Sequence, residues 1–249
     1  MISISIVSHG QGELVSRVLS DLASLMGSAP VEVILTLNVP EPLPLDVERF
    51  PYPVKVVRNV APRGFGANHN TAYRQAKGEW FCVMNPDIRI PQDPFPVLMK
   101  EISSLGGAAI APAVLTMDGV IEDSARHFPT LLSLARKMAG LGDGRYPFHL
   151  GDATFVADWV GGMFMFFRSE SFAAAGGFDE AFFLYYEDVD LCMRLGLAGQ
   201  RVLACPKAQV FHDARRASRR NLQYMRWHAY SMIRYFRKYG LQPGKTVRA

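Results

Sequence analysis

One group of candidate functional residues is the motif Asn85-Pro86-Asp87, which directly follows the apolar run Trp80–Met84. That run is bounded by Gly78 and Pro86 and predicts a buried parallel strand. Ligands of open α/β sheets bind beyond the carboxyl ends of the strands, so Asp87 is expected to face such a crevice. A carboxylate there can hold a divalent cation, which neutralises phosphate oxygens. Asn-Pro-Asp is also ordinary turn chemistry, and taken alone the motif favours a plain turn.

A second group of candidates is acidic. Glu187, Asp188 and Asp190 stand at the start of a predicted helix that runs from Glu187 to Leu197. The helix dipole favours acidic side chains in the first turn, which explains part of the cluster. One of these acids can instead act as a general base on the side of a cleft. The dipole is expected to lower the pKa of such an acid and to weaken it as a base.

A third candidate is His212, which ends a short predicted strand and is followed by Asp213. A lone histidine more often has a structural role. Neutral imidazole is nevertheless a good metal ligand, and a second group can fix its tautomer.

The turn Arg63-Gly64-Phe65-Gly66 opens a predicted helix from Arg63 to Lys77, whose N-terminal amides can meet an anion. The third glycine of a dinucleotide-binding fingerprint is missing, because His69 stands there. The sequence contains no GxxxxGK[ST] motif, which excludes a P-loop, and no GxSxG motif that would support a hydrolase.

Hydrophobic periodicity predicts the elements that must position these side chains. Predicted strands are Ile2 to Val7, Val31 to Leu37, Val54 to Val57, Trp80 to Met84, Gly107 to Thr116, Trp159 to Phe167, Val202 to Leu203 and Gln209 to Phe211. Predicted helices are Glu13 to Met26, Arg63 to Lys77, Leu131 to Met138, Ser169 to Ala175, Glu187 to Leu197 and an amphipathic helix from Arg219 onward. The β-α-β-β-α-β order of the first third predicts an α/β fold with a Rossmann-like, mostly parallel sheet and helices on both faces.

Composition and charge fit a globular chain of 249 residues with a net charge of +4. No acidic residue follows Asp213, whereas the last 36 residues carry ten basic ones. This pattern is explained equally by an anionic partner near the tail and by a solvated helix face. Three widely spaced cysteines predict reduced core thiols. No transmembrane helix or signal peptide is expected, so the predicted location is cytoplasmic.

Taken in order, two runs of the sequence resemble the family-2 inverting glycosyltransferases of GT-A fold. They are RGFGANHNTAYRQAKGEWFCVMNPDIRIP and WVGGMFMFFRSESFAAAGGFDEAFFLYYEDVDLCMRLGLAGQRVLACPKAQVFH. The resemblance covers Ile2 to about His212, and the phrase IEDSARHFPT is similar to the rhamnosyltransferase-like branch. It implies one catalytic domain over 1–213, with a nucleotide-sugar-binding half (1–90) and an acceptor-binding half (91–213). A basic, amphipathic helical extension over 214–249 would follow.

The resemblance also implies a role for individual residues. Asp188 would be the catalytic base, and Asp87 with His212 would hold a divalent cation, Mg²⁺ or Mn²⁺. Asn85 takes the first position of a DxD-type motif, so the site carries one less negative charge. The residues implied in donor binding are Ser8, His9, Asn38, Arg63, Gly66, Asn70, Asn85 and Asp87. Those implied in acceptor binding are Trp159, Gly161, Gly162, Asp179 and Glu187.

The function implied is transfer of a sugar from a nucleotide diphosphate sugar to an acceptor hydroxyl in bacterial-type surface polysaccharide or glycolipid synthesis. The expected donor is dTDP-rhamnose or a UDP-sugar, and the expected acceptor is a saccharide or a lipid-linked saccharide. We expect a peripheral membrane contact through 215–238, at the inner face of the membrane, and no nucleic acid partner.

Two other classes of function remain open at this stage. A nucleotidyltransferase has a similar sheet and also uses metal-bound aspartate, although its glycine-rich loop after the first strand is replaced here by Ser8-His9-Gly10. A non-catalytic module would use the basic, aromatic tail to bind a membrane or nucleic acid.

Overall fold

The elements of the fold are seen in a computed structural model that describes residues 1–25, 29–42, 46–122, 124–213 and 222–241. The strands are β1 Ile2–Ser8, β2 Val31–Leu37, β3 Val54–Arg58, β4 Trp80–Met84, β5 Ile88–Arg89, β6 Gly107–Thr116, β7 Ala125–Arg126, β8 Phe155–Val156, β9 Trp159–Val160, β10 Phe164–Arg168 and β11 Arg201–His212. The helices are α1 Gly12–Ser24, α2 Phe65–Tyr73, α3 Phe95–Ser104, α4 Leu131–Met138, α5 Ser169–Ala174, α6 Glu187–Leu197 and α7 Leu222–Tyr239, with a 3₁₀ turn at Val47–Arg49.

The central sheet has the strand order β3-β2-β1-β4-β10-β6-β11-β5, with β8 beside β11. Strands β1 to β4 are parallel, as are β6 and β11. β10 is antiparallel to both of its neighbours, β4 and β6, and joins the two parallel halves. The predicted mixed architecture with a mostly parallel sheet is confirmed.

Side-chain alternation along the central strands divides the core between the two faces of the sheet. On β4, Cys82 and Met84 pack on one face with α1 and α3, whereas Phe81 and Val83 pack on the other. The second face is covered by α5, α6 and α7, and the side chain of Tyr235 on α7 is fully buried there.

Three predicted element boundaries are wrong. The strand predicted from Trp159 to Phe167 is broken into β9 and β10, because the chain turns at Gly161 and Gly162. The two short strands predicted after Gln200 form one strand, β11, with a register shift between Cys205 and Gln209.

Helix α2 is shorter than the predicted span from Arg63 to Lys77. It begins at Phe65, because Gly64 is extended and packs against Phe183, and it ends at Tyr73. A Cβ atom at Gly64 would lie 2.7 Å from the Phe183 carbonyl oxygen. The backbone N–H of Phe65 donates to that same oxygen at 2.9 Å.

The C-terminal helix α7 docks against α6 through polar contacts as well as Tyr235. The Lys238 ammonium lies 2.6 Å from the carboxylate of Asp190, which is fully buried, and the Tyr239 hydroxyl donates to the same oxygen at 2.8 Å. The predicted start of this helix at Arg219 lies outside the described residues, as do six of the ten basic side chains of the tail: Arg215, Arg216, Arg219, Arg220, Lys245 and Arg248. None of the helices in the described part of the chain combines the length and the apolarity that crossing a bilayer demands.

Candidate active site

Asp87 and His212 are brought together by the two-residue strand β5. This strand pairs antiparallel with the end of β11, with Ile88 opposite His212. The backbone N–H of Asp213 donates to the Asp87 carbonyl oxygen at 2.8 Å, which fixes the two segments side by side. The Nε2 atom of His212 lies 3.3 Å from the Asp87 carboxylate, and both side chains are mostly buried.

A third residue, Glu122, completes this cluster from the loop after β6. Its carboxylate lies 2.6 Å from Nδ1 of His212. Burial lowers the pKa of His212, but the carboxylates of Asp87 and Glu122 together raise it further, to about 9. The imidazole is therefore an imidazolium that bridges two carboxylates at neutral pH.

The donor set of this cluster fits a divalent cation. Oδ1 of Asp87 is buried and has no hydrogen-bond partner, and an orphaned buried carboxylate oxygen is rare in a folded protein. Once Nε2 has lost its proton, Asp87 and His212 present one oxygen and one nitrogen ligand. Glu122 lies on the opposite side of the ring, where it can hold the imidazole in the required tautomer. Within the described ranges no group of three acidic, histidine or cysteine side chains is placed to hold a metal ion together, so further ligands would have to come from phosphate oxygens or water.

Asp188 lies in the first turn of α6 and accepts backbone hydrogen bonds on both carboxylate oxygens. Gly162 donates to Oδ2 at 2.9 Å and Val189 donates to Oδ1 at 2.8 Å. Burial raises the pKa of Asp188 above its usual value, and the two backbone donors only partly oppose this. This direction is the opposite of the one expected from the helix dipole, because burial outweighs the backbone hydrogen bonds that favour the carboxylate.

The two residues before α6 adopt left-handed backbone conformations, with φ of 70° at Tyr185 and 67° at Tyr186. Such angles are costly for aromatic residues and cluster at functional sites, where the surrounding structure enforces them. They turn the chain sharply into α6, so that Asp188 points to the Gly161–Gly162 turn.

Glu187 is buried beside Asp188, and its Oε2 atom has no hydrogen-bond partner. Burial and the neighbouring charge of Asp188 raise the pKa of Glu187 well above its usual value. Glu187 therefore keeps its proton to a higher pH than an ordinary glutamate does. A neighbouring acid that stays protonated leaves Asp188 as the natural proton acceptor.

The two halves of the site are joined by short backbone links. The backbone N–H of Asn85 donates to the carbonyl oxygen of Met163 at 2.9 Å, and the adjacent residue Gly162 donates to Asp188. Asp87 and Asp188 therefore stand on segments that meet where β4 ends and β10 begins. This is the sheet edge at which ligands of α/β folds bind.

On the predicted donor side, Asn38 is a buried hydrogen-bonding hub. Its side chain accepts from the backbone N–H of Arg63 at 2.8 Å and donates to the Arg63 carbonyl oxygen at 2.8 Å. It also contacts Nε2 of His9 at 2.7 Å. Ser8 is buried and accepts from the backbone N–H of Gln11, so β1, β2 and the turn before α2 form one rigid unit.

Gly66 and Asn70 of α2 serve packing in this structure. A Cβ atom at Gly66 would lie 2.6 Å from Cβ of Phe178. The Asn70 side chain both donates to the Phe178 carbonyl oxygen and accepts from its N–H, each at 2.9 Å, which ties α2 to the segment before α6.

A cavity of about 230 Å³ opens beside Asp188 on the predicted acceptor side. Trp159 and Glu187 line it, and the indole N–H of Trp159 donates to the His127 carbonyl oxygen at 3.0 Å. The backbone N–H of Gly161 donates to the carbonyl oxygen of Ser124 at 2.9 Å, which holds the turn that presents Gly162.

Asp179 is placed differently from the other predicted acceptor residues. Its carboxylate lies 2.9 Å from the Lys238 ammonium and 3.6 Å from the Arg234 guanidinium, both on α7. It borders a separate groove along α7. In this structure Asp179 therefore helps to hold helix α7 against the rest of the protein.

Sequence reasoning named no role for four residues of this site: Glu122, Arg126, Lys137 and His228. Glu122 contacts His212, and the other three line the cavity beside Asp188. Glu122 and Arg126 lie within the phrase IEDSARHFPT, whose resemblance to a rhamnosyltransferase-like branch was the available signal. Lys137 and His228 come from α4 and α7 and carry no local motif.

Comparison with known proteins assigns the family. Residues 3–169 match the profile described as Glycosyl transferase family 2. The chain belongs to this family. It is a nucleotide-sugar-dependent glycosyltransferase that acts in polysaccharide synthesis, as the sequence resemblance implied. A nucleotidyltransferase and a non-catalytic module are thereby set aside.

Curated relatives of this family-2 glycosyltransferase include two rhamnosyltransferases. Rhamnosyltransferase WbbL of Escherichia coli (strain K12) is 30% identical over 247 residues, covering 94% of this chain and 92% of that protein. An N-acetylglucosaminyl-diphospho-decaprenol L-rhamnosyltransferase of Mycobacterium tuberculosis (strain CDC 1551 / Oshkosh) is 31% identical over 232 residues, covering 83% and 74%.

Solved structures show the same fold at low sequence identity. GalNAc-T7, solved with UDP, GalNAc and Mn²⁺, matches with a TM-score of 0.69 at 16% identity over 87% of this chain and 44% of that one. The mannosyltransferase PcManGT from Pyrobaculum calidifontis, solved with GDP-Man and Mn²⁺, matches with a TM-score of 0.64 at 16% identity over 94% and 64%. The family-2 glycosyltransferase therefore has the predicted GT-A fold.

Proposed function

We propose that this enzyme transfers L-rhamnose, by inversion, from a deoxythymidine diphosphate donor to a hydroxyl of a lipid-linked diphosphate saccharide. Both curated relatives named above are rhamnosyltransferases, and the name of one specifies a diphospho-decaprenol acceptor. The observation that carries the proposal is the connected pair of Asp87 and Asp188, joined through Asn85, Met163 and Gly162 at one sheet edge.

The proposed reaction is a single displacement with Asp188 as the base. The acceptor hydroxyl loses its proton to a carboxylate oxygen of Asp188 as its oxygen forms a bond to the anomeric carbon. The bond from that carbon to the β-phosphate oxygen breaks on the opposite face, and its electron pair leaves with the nucleoside diphosphate. The raised pKa of Asp188 favours this role, since a stronger base accepts the proton more readily.

We propose that Asp87 and His212 hold a divalent cation against the donor diphosphate, with Glu122 positioning the imidazole. A bound Mg²⁺ or Mn²⁺ would neutralise the charge that develops on the departing diphosphate. Two protein ligands suffice for such a site, because Mg²⁺ usually takes its remaining ligands from substrate phosphates and water.

The cavity beside Asp188 supports an anionic acceptor. Arg126 and Lys137 line it together with the apolar side chains of Leu134 and Trp159. Cations of this kind recognise phosphate groups, while the flat indole can pack against a sugar ring. An acceptor saccharide that carries a diphosphate matches both features.

The test is transfer of sugar from a panel of nucleotide sugars to a short-chain diphosphate-linked saccharide, with Mg²⁺, with Mn²⁺ and with a chelator. We expect dTDP-rhamnose to give the highest kcat/KM and the chelator to abolish transfer. A matched acceptor that lacks the diphosphate should show a higher KM. Higher kcat/KM with a UDP-hexose, or full activity in the chelator, would contradict the donor or the cation assignment respectively.

A further inference from the structure

Helix α4 exposes most of its apolar side chains. None of its residues is buried, and the exposed fractions are 46% at Leu131, 69% at Leu132 and 90% at Met138. Leu141, in the loop that follows, is 66% exposed. A short helix on the surface of a globular protein normally buries such a stripe against the core, so these exposed side chains call for an explanation.

The end of α7 extends the same surface. The backbone N–H of Leu131 lies 3.4 Å from the carbonyl oxygen of Leu241, whose side chain is also exposed. We refer to Leu131, Leu132, Met138, Leu141 and Leu241 as the α4 surface.

Charge on α4 is of one sign. Arg136 and Lys137 lie in its last turn, and no acidic residue occurs between 131 and 141. Exposed leucine and methionine beside cations, without acids, is the pattern of a segment that lies in the interface of an anionic membrane.

The other side of the same helix lines the catalytic cavity. Ser133, Leu134 and Lys137 border it together with Asp188. Helix α4 therefore separates the acceptor cavity from the exposed apolar side chains by one helix diameter, roughly 10 Å.

We propose that the α4 surface docks on an anionic phospholipid bilayer and holds the acceptor cavity at the headgroup level. This inference rests on the proposed function, because a lipid-linked acceptor keeps its reactive saccharide close to the bilayer. It also differs from the contact expected through 215–238, because two cations of α7 in that range, Arg234 and Lys238, pair with Asp179 and Asp190 of the protein itself.

A second copy of this chain is a poorer occupant of the surface. An eight-residue helix is about 12 Å long and 10 Å wide, so it offers on the order of 100 Å² of face. A stable protein interface takes about 800 Å² from each partner. Shallow insertion of a few apolar side chains with adjacent cations needs no such area.

The test is cosedimentation with vesicles of phosphatidylcholine and phosphatidylglycerol, and with vesicles of phosphatidylcholine alone. The variant is Leu132→Glu with Met138→Glu. The matched control is Val60→Glu with Leu197→Glu, which makes the same charge change at two exposed apolar positions. Leu197 ends α6 and lies at the opposite end of that helix from Asp188.

We expect wild type and control to bind the anionic vesicles, and the α4 variant to partition at least about tenfold less. Binding should weaken on phosphatidylcholine alone. Equal partitioning of variant and control, or a variant that changes only the oligomeric state in solution, would overturn the proposal.

A second measurement does not depend on charge reversal. Because Cys82, Cys192 and Cys205 are buried, a polarity-sensitive dye can be attached at Met138→Cys and, as the control, at Val60→Cys. The emission of the dye at position 138 should shift to the blue when anionic vesicles are added, and the emission of the dye at position 60 should not. An unshifted dye at 138 would refute the contact.

Activity on a short-chain, water-soluble acceptor separates this inference from the proposed function. The α4 variant should transfer sugar to that acceptor at the wild-type rate and lose transfer only to acceptor embedded in vesicles. If wild type binds vesicles as expected but transfers nothing to the soluble acceptor, the proposed function fails and the docking surface stands.

Discussion

Replacing Asp188 by asparagine separates the chemistry of the site from its structure. The amide has the shape of the carboxylate, and its oxygen can still accept the hydrogen bond from Gly162. It cannot take a proton from the acceptor hydroxyl. Loss of general base catalysis is worth roughly 10²–10⁴-fold, or about 2.7–5.4 kcal/mol in the activation barrier at about 1.36 kcal/mol per decade.

The same change should affect stability little. One of two backbone donors, from Gly162 or Val189, loses its carboxylate acceptor, which costs about 1 kcal/mol. Against this, the amide removes a charge whose burial already raises the pKa of Asp188. The two contributions oppose each other, so we expect a change in unfolding free energy below about 1 kcal/mol.

The assay compares initial rates at saturating donor and acceptor with donor affinity by calorimetry and with thermal unfolding. The matched control is Asp190→Asn, two residues along the same helix. Asp190 is fully buried and bonds Arg194, Lys238 and Tyr239, so its loss should cost about 3 kcal/mol of stability. We expect the first variant to lose turnover with normal stability, and the second mainly to lose stability.

Near-normal turnover of Asp188→Asn would refute the reasoning. So would a loss of turnover matched by an equal loss of donor binding or of folded protein. In wild type, kcat/KM should fall as the pH drops through the pKa of Asp188, because only the carboxylate accepts the proton. Since burial raises that pKa, the fall should begin at a higher pH than an ordinary aspartate would give.

Three further outcomes follow from the same structure. Glu122→Gln should weaken the affinity for Mn²⁺ in the presence of donor by about 10–100-fold, measured by metal titration, because Glu122 positions His212. Glu187→Gln should gain stability relative to wild type as the pH rises above about 4.3, measured by thermal unfolding, because the unfolded glutamate ionises there whereas the raised pKa of the folded one delays its ionisation. Gly66→Ala should lower unfolding free energy by about 1–2 kcal/mol in denaturant titrations, since the contact with Phe178 outweighs the helix propensity gained.

Local patterns could predict most elements of the fold. Alternation and periodicity depend on neighbours in sequence, and they identified β1, β2 and α4 to within a residue. They failed at Trp159–Phe167, where the side chains are apolar throughout but the chain turns at two glycines. A continuous apolar run contains no signal for such a turn, although this turn presents the Gly162 N–H to Asp188.

The candidate site was predictable only where a motif carried it. Asp87, Asp188 and His212 stand in recognisable runs, and the structure brings Asp87 and His212 into contact. Glu122 lies 90 residues from His212 in sequence, so only the pairing of β6 with β11 and the fold of the loop after β6 bring them together. The pKa of Asp188 was mispredicted for a related reason, because burial is a property of the whole fold and the dipole argument is local.

Helix α7 is tied to the catalytic helix by the fully buried carboxylate of Asp190, which suggests a last test of what positions Asp188. Lys238→Met keeps the aliphatic stem and removes the charge 2.6 Å from that carboxylate. Because Lys238 is about a third exposed, we expect the free energy of unfolding to fall by about 1–2 kcal/mol. We also expect a moderate fall in kcat, because α6 is held less firmly. Arg237→Met, an exposed neighbour on α7, should change neither quantity. If both variants unfold and turn over like wild type, the C-terminal helix contributes nothing to the position of the base.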